Sequence, residues 1–172
     1  IEKNYNYSDI HNLLVKNKAV ALSATFILSI IPPYLYRTLV GFSDHESIGM
    51  FGFFLAILIF SLGLYYLEKR KSSLKISLIF GFVAGIATMF AIVSWGGGAK
   101  FLFMILPIAF FANWFIKKNY SSSRNYLVFY SLWIFGILVS ANLFGFGILR
   151  VAKTYMLNSF GLLTFVVLLY LL

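Results

Sequence analysis

Apolar positions fall into six long runs, and every acidic, basic and histidine side chain lies between or outside them. The runs cover residues 19–36, 47–67, 76–99, 101–116, 125–149 and 154–172, or 18, 21, 24, 16, 25 and 19 residues. A helix needs about 20 apolar residues to cross a hydrocarbon core of about 30 Å. Five runs reach or nearly reach that length. The fourth spans only about 24 Å at 1.5 Å per residue, and Pro107 near its middle removes a helix hydrogen bond. Lys100 and Lys117 at its two ends are placed to snorkel outward, which lets a short helix serve. The pattern predicts an all-α polytopic membrane protein: a bundle of six transmembrane helices, or five with a re-entrant fourth segment.

Loop charges orient the bundle. Alternating the connections puts ten basic residues on one side: Lys3, Lys16, Lys18, Lys69, Arg70, Lys71, Lys75, Lys117, Lys118 and Arg124. The other side holds Arg37, Lys100, Arg150 and Lys153. Positively charged loops stay cytoplasmic, so both termini are expected inside. Residues 1–18 then form a cytoplasmic segment in which Ile10, Leu13 and Leu14 share a face, as in a short amphipathic helix on the membrane surface. Residues 19–172 form the transmembrane domain. The first run lacks a small-x-small cleavage site and ends in Ile30, Ile31, Pro32 and Pro33, which reads as a retained signal anchor. Gly96, Gly97 and Gly98 are expected to make a tight external turn beside an interfacial Trp95.

Composition agrees with the pattern. With 61% hydrophobic and 11% charged residues and a mean hydropathy of +0.90, too few polar side chains remain to cover a water-facing surface. The net charge of +9 is dispersed over segment ends rather than gathered on one face, so nucleic acid is not an expected partner; the lipid bilayer with its anionic headgroups is. Eleven tyrosines, many near run ends, suit an interfacial belt.

In a bilayer, small residues mark faces where helices approach. Ser77, Gly81 and Gly85 recur every four residues in the third run, and Gly136, Ser140, Ala141 and Gly145 line the fifth. These two helices are the expected bundle centre, with Ser77, Gly81, Gly85, Gly136, Ala141 and Gly145 as packing positions.

Candidate chemistry is sparse. All five acids, Glu2, Asp9, Asp44, Glu46 and Glu68, lie outside the runs, which argues against proton- or sodium-coupled transport. With no cysteine, and with His11 and His45 expected on opposite sides, neither a metal site nor a cofactor is expected. Arg37, Asp44, His45 and Glu46 are the only catalytic residue types that cluster, but Ser43 and Glu46 have capping-box spacing, which explains them by helix initiation. Asn113, Ser140, Asn142, Asn158 and Ser159 are the polar residues expected within the bilayer. Asn142 and Asn158 should face each other at similar depth across a turn at 150–154, as a hydrogen-bonded pair or, with Ser140, as a pore or ligand site.

These features favour a non-enzymatic membrane subunit or interaction protein of toxin-immunity, phage-defence or transport-accessory type. Lys69, Arg70, Lys71, Lys117, Lys118 and Arg124 would dock a protein partner or headgroups. A homo-oligomeric channel or uniport carrier ranks second and a lipid-directed enzyme third. The expected location is a bacterial cytoplasmic membrane, or alternatively an organellar inner membrane.

Overall fold

The computed structural model describes residues 7–32, 46–69, 74–117, 123–158, 161 and 164. These are helical, with no strand among them, and the chain divides into two units, Ile1–Asp44 and His45–Leu172. In the first unit, among the described residues, helix α1 (Tyr7–Ile30) runs unbroken through the expected surface helix and into the first apolar run as far as Ile30. It ends just before the prolines. From Lys18 onward nearly all its side chains are exposed, and its hydroxyls turn inward: Thr25 donates to the Ala21 carbonyl at 2.8 Å and Ser29 to that of Phe26 at 2.7 Å. Such back-bonding satisfies these two hydroxyls within the helix.

The second unit holds α2 (Glu46–Lys69), α3 (Leu74–Ser94), α4 (Gly96–Ala99), α5 (Leu102–Lys117), α6 (Ser123–Leu143), α7 (Ile148–Val151) and a π-helical turn (Ala152–Met156). Four stretches are long and apolar enough to cross a membrane: Glu46–Leu67, Leu74–Ser94, Gly96–Trp114 and Arg124–Leu143. The protein is an integral, multi-pass membrane protein of all-α class. Most of the sixth run lies outside the described residues.

Side-chain contacts fix the helix directions. Gly52 meets Ala91 and Gly63 meets Phe80, so α2 and α3 are antiparallel. Gly81 meets Phe129 and Gly85 meets Trp133, so α3 and α6 run parallel. Phe110 pairs with Tyr130 at 4.7 Å and Trp114 with Tyr126 at 6.0 Å, so α5 opposes α6. One end of the bundle therefore carries Lys69, Lys75, Lys117 and Arg124. The other carries Glu46, Trp95 and Lys100, together with α7 and the π-helical turn.

Glycine sets the closest approach. A methyl group at Gly85 would come within 2.5 Å of the Trp133 carbonyl oxygen and 2.8 Å of the Gly136 Cα; one at Gly136 would lie 2.7 Å from the Phe82 carbonyl oxygen. Without a water-driven force between helices, this backbone-to-backbone fit supplies much of the attraction. Around it Phe60, Phe103, Phe110, Phe129, Tyr130 and Trp133 are fully buried. Phe60 lies edge-on to Phe129 at 5.0 Å and to Trp133 at 5.5 Å. The Trp133 indole N–H donates to the Thr88 hydroxyl at 3.0 Å, and that hydroxyl donates to the Ala84 carbonyl at 2.8 Å.

Three expected details are corrected. The triple glycine is not a turn but the helical turn α4, joined to α5 by continuing bonds such as Phe101 N–H to the Gly98 carbonyl at 3.1 Å and Ile105 N–H to that of Phe101 at 2.9 Å. The chain reverses at Trp95 (φ −149°, ψ 71°), and the added turn lengthens the short fourth run into the Gly96–Trp114 stretch. The turn expected at 150–154 is instead helical, and the break falls at residues 144–147, where Gly145 (φ 72°) and Gly147 (φ 78°) hold left-handed conformations. Gly145 accordingly ends α6 and is exposed, rather than packing between helices.

Candidate functional site at the glycine-rich end

The end of the bundle away from Lys69 is the more elaborately built. Glycines let an aromatic wedge fill it: a β-carbon at Gly49 or Gly98 would overlap the Trp95 side chain, so both residues lie flat against it. Phe53 meets the same indole edge-on at 6.4 Å. Past the Gly145–Gly147 turn, the chain enters α7 and the π-helical turn, closed by the Leu157 N–H bonding to the Ala152 carbonyl at 2.9 Å. Tyr155 on that turn is buried, 6.1 Å from Phe103, and its hydroxyl would lie 2.6 Å from a β-carbon at Gly96. It joins the C-terminal segment to the connection that carries Lys100.

Arg150 and Lys153, three positions apart on this segment, are both exposed. The Arg150 guanidinium rests 5.6 Å over the Phe146 ring, a cation–π contact. An apolar groove of about 310 Å³ lies between α2 and α3, lined among others by Leu55, Ile59, Val83 and Phe90 and reaching Phe144. Its walls suit hydrocarbon rather than a polar group.

The expected site residues are scattered. Arg37, Asp44 and His45 lie outside the described residues, as do Arg70, Lys71, Lys118 and Ser159. Glu46 sits in the first turn of α2. Ser140 is buried and donates to the Gly136 carbonyl at 2.6 Å, which satisfies it within its own helix. Asn142 is exposed on the last turn of α6, and Asn158 comes just after the π-helical turn; the shifted break removes the symmetric hairpin that would have set them at equal depth. Ser77, Gly81, Gly85, Gly136 and Ala141 are buried. Lys69 and Lys117 end α2 and α5, and Arg124 lies in the first turn of α6. Among the described residues no three His, Asp or Glu gather as metal ligands. Tyr130, whose hydroxyl donates to the Thr164 carbonyl at 3.1 Å, and Trp133 went unremarked in the pattern. A Trp and a Tyr in the middle of a span, away from either interface, were the signal.

The family described as oligosaccharyl transferase STT3, N-terminal, matches the chain over residues 14–172. The chain belongs to the STT3 family. Among relatives, the chain is 29% identical over 126 residues to the dolichyl-diphosphooligosaccharide–protein glycosyltransferase subunit STT3A of Oryza sativa subsp. japonica, covering 73% of this chain and 14% of the relative. It is 26% identical over 126 residues to the corresponding STT3 subunit of Dictyostelium discoideum, covering 73% of this chain and 16% of the relative. The chain thus matches only a small part of the length of these STT3 proteins. No solved structure matches it. The family finding overturns the expected non-enzymatic subunit, in its toxin-immunity, phage-defence and transport-accessory forms, and with it the channel or uniport alternative, because STT3 is a transferase family. The expectation failed because it rested on the clustered catalytic residue types being explained by helix initiation, and a chain matching so small a share of a transferase need not hold the transferase's catalytic groups.

Proposed function

We propose that this chain is part of the membrane domain of an STT3-type subunit that transfers an oligosaccharide from a dolichyl-diphosphate-type carrier to protein. The match over residues 14–172 carries the reading. In such a transfer the bond from the sugar's anomeric carbon to the diphosphate oxygen breaks and its electron pair stays on that oxygen. A bond from the same carbon to an acceptor atom forms, and the acceptor's proton leaves to solvent. The lipid-linked donor and the acceptor meet at a membrane surface; an apolar groove lies between α2 and α3, and Arg150 and Lys153 are exposed at the glycine-rich end.

The remaining assignments rest on the charge pattern. Residues 1–18 form a cytoplasmic segment, 19–172 the membrane domain, and the end bearing Lys69, Lys75, Lys117 and Arg124 faces the cytoplasm with both termini. Lys69, Arg70, Lys71, Lys117, Lys118 and Arg124 meet headgroups or a protein partner; that the relatives are named as subunits supports such a partner. The relatives from a plant and from Dictyostelium favour an organellar membrane over a bacterial one.

The test supplies the full-length protein, in its complex, with lipid-linked oligosaccharide and an acceptor peptide. The peptide is expected to gain the oligosaccharide mass. A carrier that stays loaded, under conditions where it demonstrably binds, would overturn the transferase reading.

A further inference from the structure

The exposed face of the chain changes character past the Gly145–Gly147 break without ceasing to be apolar. Before it, Phe135 and Leu143 on α6 are 54% and 78% exposed, as a lipid-facing surface allows. After it, Leu149 and Leu157 are 76% and 60% exposed, and between them stand the exposed Arg150 and Lys153. Leu149, Lys153 and Leu157 follow at intervals of four, so leucines and a cation share one side of these helical turns. Val151, Tyr155 and Met156 are buried on the other. Residues 142–158 contain no acid, and among the described residues neither cation is held in an ion pair.

The element does not cross a membrane. Four residues of α7 and five of the π-helical turn extend at most about 14 Å at 1.5 Å per residue, between the break at 144–147 and a bend at Leu157 and Asn158. In water its leucines would stay wetted, and deep in hydrocarbon its two cations would be stranded. The boundary between the two satisfies both, because a long basic stem lies along acyl chains while its charged head reaches the phosphates.

We propose that residues 148–157 lie in the membrane interface as an anchor for anionic phospholipid, with Leu149 and Leu157 among the acyl chains and Arg150 and Lys153 on the headgroup phosphate. Two arguments select this occupant. The exposed surface of α6 runs up to Leu143 and Phe144, directly before the break, so the anchor continues a surface that lipid covers. Its uncompensated positive charge complements a phosphodiester, which a guanidinium meets with paired hydrogen bonds and an ammonium with a compact charge. Leucines flanking the cations commit the site to a phosphate carried on acyl chains rather than to free phosphate. The anchor does not depend on the transferase reading.

The test places an environment-sensitive fluorophore at Leu149→Cys in a single-cysteine form of the full-length protein. The protein is held in nanodiscs of mixed phosphatidylcholine and phosphatidylglycerol, with an acyl-chain quencher on one lipid or the other. Both lipids should quench the label, with about fivefold or more preference for phosphatidylglycerol. The preference should fall to about equal in Arg150→Ala/Lys153→Ala and persist in the charge-keeping Arg150→Lys. Added inorganic phosphate should leave it unchanged, and a label at Phe135→Cys, in mid-span, should be quenched equally by both lipids. A label at Leu149→Cys that neither lipid quenches, whether wetted or covered by protein, overturns the anchor. So does equal quenching by the two lipids in wild type, a preference that survives in the double variant, or one that inorganic phosphate abolishes.

Discussion

The two ends of the bundle use positive charge differently. One has Lys69, Lys75, Lys117 and Arg124 at the helix termini, with Arg70, Lys71 and Lys118 next to them in the sequence. The other holds Lys100, Arg150 and Lys153, fewer charges but set on short helical turns that glycines and aromatic rings press against the bundle. A crowd of cations acts through its summed field, which orients a membrane chain. A few braced cations suit one anion. Charge number and charge placement are separable, and the sequence alone displays only the first.

The separation breaks most visibly through topology. Reversing Lys69, Arg70 and Lys71 to Glu removes the strongest cluster of the basic end and should leave a substantial share of molecules inverted or mixed. The natural chain has no cysteine, so Gly97→Cys, at a position with nothing within 4 Å of its β-carbon, reports sidedness through an impermeant thiol reagent. Wild-type background should label from outside. The triple reversal should lower that labelling, whereas Arg150→Ala/Lys153→Ala should leave it unchanged.

Next in size is the wedge. Gly98→Val forces a side chain into the Trp95 ring and should cost about 1–3 kcal/mol in detergent unfolding, as overpacking does. The same cost is expected for Gly85→Val, where the obstacle is backbone of α6 and cannot swing aside. A neutral outcome at Gly98 would show that the glycine-rich end is no better braced than the basic one. A smaller step is Trp133→Phe, which keeps the ring contacts and leaves the Thr88 hydroxyl without its donor; about 0.6 kcal/mol is expected within a bilayer. Smallest of all, Lys75→Ala on an exposed position should stay within about 0.5 kcal/mol.

Membrane class and the middle four spans were legible because lipid imposes a length and an apolarity on any crossing helix. The reversals were not, because a turn in a membrane protein need not be polar. Residues 144–147 are Phe, Gly, Phe and Gly, apolar enough to pass as part of a span, and only backbone conformation marks the break. The triple glycine misled in the opposite direction: glycines read as a loop, yet here they keep helical geometry, with Gly98 lying flat against the Trp95 ring. The same displacement changed the reading of the polar residues. Asn142 and Asn158 were expected at equal depth because residues 150–154 read as the loop, whereas the break lies at 144–147.

The proposed transferase reading can be tested by photocrosslinking. A polyisoprenyl diphosphate bearing a photoreactive group beside the diphosphate would be irradiated with the full-length protein in nanodiscs, and the labelled peptides sequenced by mass spectrometry. Label is expected at the end of the bundle that carries Glu46, Trp95 and Lys100, competed away by unlabelled lipid diphosphate. Label confined to the segments around Lys69 to Lys75 and Lys117 to Arg124 would contradict a donor site at the glycine-rich end.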